Sequence, residues 1–320
     1  MKTGTKIFLI IVAIVCILSG SAIFTNVLTK NGWDFSTVNY ETKEHSVTEE
    51  FQDIKIETET ANLSLLASED ETCKVVCYEM EKVTHTVSVE EGVLKIQVED
   101  EREWYEHIGI FTENQEVTVY LPKSEYGNLN IKNVTGDVEI SKDFSFANMD
   151  IQVTTGNVSN FASSLGEVKI DMITGNVKME NISANALSLR ITTGDVTLYK
   201  VDCIGTITMD MVTGDTYLTE VTCEGLVSEG TTGKIVLKNT LAKKEFSIER
   251  VTGDVRFESC DAEEIVVETT SGDISGTLRS DKVFVADSLS GSVRVPNTTS
   301  GGRCAISTTS GDITIQIENV

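Results

Sequence analysis

Ile191 to Cys203 reads "ITTGDVTLYKVDC", and close copies of this stretch return down the chain. With its glycine as origin, the turn recurs at Gly136, Gly156, Gly175, Gly194, Gly214, Gly233, Gly253, Gly272, Gly291 and Gly311, always 19 or 20 residues apart. Thr or Ser precedes every one of these glycines, and Asp or Asn follows eight of the ten, Lys234 and Ser292 being the departures. Seven residues before the glycine the side chain is apolar throughout, from Leu129 to Cys304, and two residues after it stands Val or Ile, with Thr216 the exception. This is the pattern of two short strands of period 2 flanking a glycine turn.

One such unit exposes too much apolar surface to stand alone, whereas identical units stacked in register bury their equivalent positions against one another. The repeat therefore predicts an all-β fold, a right-handed parallel β-solenoid of about ten 19–20-residue coils. At about 4.8 Å per coil, ten coils make a rod roughly 48 Å long. The glycine supplies backbone freedom at the corner, and its Asp or Asn neighbour tolerates turn geometry. An antiparallel sandwich of hairpins is the competing reading, but sandwiches seldom hold one spacing over ten units.

The 320 residues carry 50 acidic against 26 basic side chains, a net charge of −24. Such a surface repels nucleic acid and suits solubility, cations or a basic partner. Ile7 to Leu28 is uncharged for 22 residues, long enough as a helix of roughly 33 Å to cross a bilayer. Lys2 and Lys6 precede it, so the expected topology is a cytoplasmic N-terminus (1–6), a signal anchor (7–28) and an extracellular body in the cell membrane's outer space. A cleaved signal peptide is the alternative, with Gly20-Ser21-Ala22 offering small residues to a peptidase. Outside this stretch lie Cys73, Cys77, Cys203, Cys223, Cys260 and Cys304. Cys73 and Cys77 read as buried small residues; Cys203 and Cys223, twenty residues apart, fall at equivalent places on adjacent coils.

Residues 29–50 lack apolar periodicity and read as a stalk. From Phe51 to Pro122 the pattern is strand-rich without the repeat, a β-rich cap for residues 51–122 that closes the solenoid of 123–320. Within the cap, "EREWYEHIGIF" crowds Trp104, Tyr105 and Phe111 into an aromatic-poor protein. This loop is either a partner-binding surface or a lid over the first rung; the lid is the expectation.

Catalytic chemistry is hard to find. The histidines are His45, His85 and His107, all outside the repeats, and neither a nucleophile–base arrangement nor a glycine-rich phosphate loop stands out. The repeated acidic positions, Asp195, Asp215, Asp254 and Asp273 among them, offer oxygen ligands to calcium; the plainer reading is turn chemistry with water and mobile counterions. An acidic groove could also serve a carbohydrate-active β-solenoid enzyme of the cell envelope, although such enzymes build their grooves from long insertions that these coils lack.

The recurring "TTGDV", "VTGDV" and "TSGDI", together with "VLKIQV", "VTVYLP" and the single N-terminal apolar segment, resemble the bacterial "putative adhesin" domain family of unknown function. The resemblance covers about residues 45–320. It implies a β-solenoid at the bacterial cell surface, in some members within envelope-stress loci, and carries no active residues to transfer. The expected function is a membrane-anchored extracellular scaffold, not an enzyme and without a cofactor, that binds an envelope protein or polymer in adhesion or envelope-stress signalling.

Overall fold

The computed structural model describes residues 39–102 and 115–318. The apolar stretch 7–28 and the loop residues Trp104, Tyr105 and Phe111 lie outside them. Among the described residues all regular structure is β, 27 strands joined through one hydrogen-bonded network, and no helix is long and apolar enough to cross a membrane.

Coils stack in parallel and in register, as the spacing demands. Leu187 lies between Val168 and Ile207, and Val196 between Val177 and Thr216. The inward rows are dry: Val168, Leu187, Ile207, Leu226, Phe246 and Ile265, each seven residues before its glycine, are at most 1% exposed. Thr216, the one polar residue in its row, is also fully buried, with its hydroxyl 3.1 Å from Met211 Sδ. At the corner, a Cβ on Gly194 would sit 1.7 Å from the carbonyl oxygen of Gly175, and the glycine adopts a φ of 143°.

A second corner had no sequence signal. Six residues after the glycine, Asn181, Lys200, Glu220, Asn239 and Ser259 all take the left-handed conformation, with φ between 49° and 56°. There the in–out alternation slips by one: Val196 and Leu198 point inward, then Val201 and Cys203. A bend of this kind turns one strand into two sides of the coil.

Both ends of the stack depart from chain order. The strand Asp53–Ala67, inside the expected cap, is itself a rung: Ile54 pairs with Leu129 and Leu63 with Val138, in parallel. Its Ala61 and Asn62 stand where later rungs have Gly and Asp. On its other side lie Val93–Asp100 and Gln115–Leu121, again parallel and in register, a rung interrupted between residues 101 and 114. Only beyond that does pairing turn antiparallel, through Val83–Glu90, Cys73–Met80 and Tyr40–Val47. The segment read as a stalk thus contributes an edge strand, held by backbone ladder bonds to Cys73–Met80; its outer face is solvated, which is why no apolar period marks it. At the other end the Gly311 rung (Gly302–Ile317) is inserted between the Gly272 rung and the Gly291 rung, so that Lys282–Ser290 becomes the terminal edge.

Gly194→Ala should place a methyl group on the Gly175 carbonyl and strain the backbone. A loss of roughly 1–3 kcal/mol from the backbone conformation alone is expected, plus the steric cost. Chemical denaturation of the variant against wild type measures it; an unchanged midpoint would mean the coils do not approach this closely.

Candidate functional site

Along the glycine corner the Asp/Asn row forms a ladder in two runs, broken at Lys234, which donates its N–H to Asp215 Oδ1 (3.1 Å) but has no side-chain acceptor to offer Asp254. The Asp137 N–H donates to Asn62 Oδ1 (3.0 Å), Asn157 N–H to Asp137 Oδ1 (2.7 Å), Asp195 N–H to Asn176 Oδ1 (2.8 Å) and Asp215 N–H to Asp195 Oδ1 (2.8 Å). Past Lys234 the ladder resumes with Asp273 N–H to Asp254 Oδ1 (2.9 Å) and Asp312 N–H to Asp273 Oδ1 (2.8 Å), and ends where Ser292 N–H meets Asp312 Oδ1 (2.7 Å). That donated bond holds the Asp312 carboxyl below the ordinary carboxylate range. Ser292 departs from the motif on the last rung, which has no further rung to serve. The four aspartates singled out as a cation row therefore each give an oxygen to the backbone of the neighbouring coil.

Beside this corner runs a groove. On each rung the residue four before the glycine forms one wall, the third before it the floor, and the second before it the other wall. One section, of about 650 Å³, is walled by Lys132, Gln152, Asp171 and Arg190 opposite Val134, Thr154, Ile173 and Thr192. A second section, of about 680 Å³, is walled by Asp210, Glu229, Glu249 and Glu268 opposite Val212, Thr231, Val251 and Thr270. The aliphatic members of the second wall are half exposed: Val134 50%, Ile173 54%, Val212 47% and Val251 51%. The acidic residues are in direct register, Asp210 with Glu229, Glu229 with Glu249, and Glu249 with Glu268. Among the described residues Arg190 approaches Asp210 at 3.9 Å, but no cationic nitrogen lies within 4 Å of the carboxylate oxygens of Glu229, Glu249 or Glu268. Like charges placed directly opposite are destabilising, so this row carries an electrostatic strain that a cationic partner would relieve. On the floor, Arg250 is 5% exposed; its guanidinium donates to Ser228 O and Oγ and to Glu249 O, over the space left by Gly230. Burial lowers its pKa to about 10.

A third feature lies inside the cap. The hairpin of Cys73–Met80 and Val83–Glu90 parts after a single pair, Met80 with Val83, because its strands join different neighbours. Where it opens, Glu79 takes the place of the missing ladder: its Oε2 accepts from the His85 N–H (2.7 Å) and lies 3.0 Å from His85 Nδ1. His85 Nε2 is 3.1 Å from Thr58 Oγ1. Glu79 and Cys77 are fully buried and His85 is 3% exposed. Burial pushes the Cys77 thiol up to about 12, helped by the Glu79 charge, and lowers the His85 imidazole pKa against the pull of Glu79.

The sequence had pointed to the Asp row and the aromatic loop. The first is structural in its bonding, and the second lies outside the described residues. The groove walls were visible only as outward positions of the repeat, and their stacking sign pattern needs the register to be read. Cys203 and Cys223 occupy adjacent rungs, next to the paired Asp202 and Thr222, as buried free thiols.

The family model described as Toastrack DUF4097 matches residues 51–215 and again 199–320. Among solved structures the fold is similar to a "putative adhesin" from Parabacteroides merdae ATCC 43184, at 13% identity and a TM-score of 0.49, over 75% of this chain and 97% of that one. It is similar as well to a "putative lipid binding protein" from Parabacteroides distasonis ATCC 8503, at 16% identity and a TM-score of 0.48, over 75% and 95% of the two chains. A "putative adhesin" from the same organism aligns at 13% identity and a TM-score of 0.46, over 86% and 98%. No curated protein matches the chain.

Asp195→Ala should remove the acceptor for the Asp215 N–H and cost about 0.5–1.5 kcal/mol, whereas Asp195→Asn should keep the bond and the stability. Thermal unfolding of both variants in calcium-free buffer checks this. A stability loss as large in Asn as in Ala would show that the charge, and not the acceptor, is what the corner uses.

Proposed function

Because the chain belongs to the Toastrack DUF4097 family, with its adhesin-like solenoid fold, we propose that it is a membrane-anchored extracellular scaffold binding a cationic envelope protein or polymer along the groove. The anchor in this reading is Ile7–Leu28, preceded by Lys2 and Lys6, with the acidic body outside the cell membrane. The observation that carries the binding reading is the in-register row Asp210, Glu229, Glu249 and Glu268, facing a half-exposed aliphatic row across an open groove. Rungs repeat every 4.8 Å or so, so the groove offers a charge lattice along the rod axis to an extended partner with closely spaced positive groups. Apolar contact with Val212 and Val251 adds desolvation energy that the Thr and Ser rows cannot supply. The role is non-catalytic and needs no cofactor; adhesion and envelope-stress signalling are both served by capture of such a partner.

Two measurements test this. Charge reversal by Glu229→Lys with Glu249→Lys, both exposed, should leave the thermal midpoint near wild type or above it and weaken binding of a poly-lysine probe by at least about tenfold at low salt. Undiminished binding would remove the groove from consideration. For the anchor, protease added to intact wall-stripped cells should degrade residues 31–320 while an N-terminal tag survives inside; a mature N-terminus near Ile23 would instead mean that the segment is cleaved.

A further inference from the structure

The buried cluster of the cap holds more donors than its hydrogen bonds use. The contacts among Glu79, His85 and Thr58 account for Glu79 Oε2 and both ring nitrogens of His85. They leave Cys77 Sγ without a polar role. Glu79 Oε1 forms an ion pair with the Lys43 ammonium at 3.0 Å. His45 Nε2 is buried and has no hydrogen-bond partner. His45 sits on the neighbouring strand, two residues from Lys43, which stands opposite Cys77. One sulfur, one carboxylate oxygen and one imidazole nitrogen, from Cys77, Glu79 and His85, all fall within 4.8 Å of one another.

We propose that Cys77, Glu79 and His85 bind one divalent transition-metal ion of the zinc class. The donor set selects the metal: thiolate and imidazole favour zinc and its neighbours, whereas calcium takes six to eight oxygens that this site does not have. One hairpin supplies all three ligands, Cys77 and Glu79 as successive inward residues of one strand and His85 from the strand that returns. A thiolate and a carboxylate balance the divalent cation; because uptake of the ion releases a single thiol proton, the cluster gains one positive charge, carried by the half-exposed Lys43 that pairs with Glu79. Thr58 is placed to orient the imidazole. Without metal its hydroxyl donates to Nε2 while Nδ1–H donates to Glu79; with metal on Nδ1, the ring proton resides on Nε2 and Thr58 accepts it, the outer contact that metal-bound histidines commonly make. The Cys77 thiol gives up its proton on binding, so each ion taken up releases one proton to the buffer.

Cobalt(II) is the probe of choice, because a cobalt–thiolate bond produces a charge-transfer band in the near ultraviolet. Titrated into the full-length, thiol-reduced protein in mild detergent, cobalt should give this band with a break at one equivalent, and zinc should abolish it. Zinc should also raise the thermal midpoint, and EDTA should reverse the rise. Cys77→Ser is close to isosteric; its far-ultraviolet circular dichroism should match wild type while the band is lost. Cys73→Ser, four residues away on the same face, should keep it. Absence of the band in the wild-type protein, or a band that survives in Cys77→Ser, would overturn the proposal and leave the cluster as a hydrogen-bonded brace for the splayed hairpin.

Discussion

Everything in this rod rests on a close approach of backbone to backbone at one corner. The place where a Cβ would stand on Gly194 is taken by the carbonyl oxygen of Gly175, at 1.7 Å, so a side chain there would force neighbouring coils apart and break the register of both flanking strands. With register fixed, every inward row superposes on itself and the core becomes a set of columns. The exception is Ala61, which carries a side chain at this position on the rung whose other neighbour is formed by Val93–Asp100 and Gln115–Leu121, with Gln115 opposite it. Asn62 beside it still serves Asp137, so the ladder of side-chain acceptors begins one rung before the glycines do.

The repeat made the parallel solenoid legible because glycine and its neighbours are demanded by sterics and hydrogen bonding at a fixed spacing. What escaped was whatever lacked a unique residue. The left-handed corner is filled by Asn181, Lys200, Glu220, Asn239 and Ser259, side chains that share a conformation but no chemistry. The Asp53–Ala67 rung was hidden because its partner begins at Leu129, far beyond one repeat, with the hairpin and the interrupted rung looped out between them. Strand order at the ends was equally invisible, since Gly272, Gly291 and Gly311 are evenly spaced in sequence while their rungs stack in the order 272, 311, 291.

The candidate site divides in the same way. The acidic excess is plain in composition, but the aspartates that the motif marks, beside the glycines, have their Oδ1 atoms bound to backbone. The groove acids, Glu229 and Glu249 among them, are separated by twenty residues and look like ordinary solvated strand positions until parallel pairing brings them side by side. The cap cluster was harder still: Cys77 and Glu79 alternate as strand residues should, and only the splaying of the hairpin after Met80 brings His85 against them.

The out-of-order terminus has a bearing on how the molecule comes into being. A solenoid whose rungs follow chain order can grow coil upon coil as it leaves a ribosome or a translocon. Here the Lys282–Arg294 segment emerges before the strands that separate it from the Gly272 rung, and its final neighbours are Gly302–Ser310 and Ile313–Ile317. Until those arrive it can pair only with the wrong coil or wait unpaired. Completion of the stack is therefore an insertion and not an addition, a step that waits on chain made after the segment it separates from the Gly272 rung.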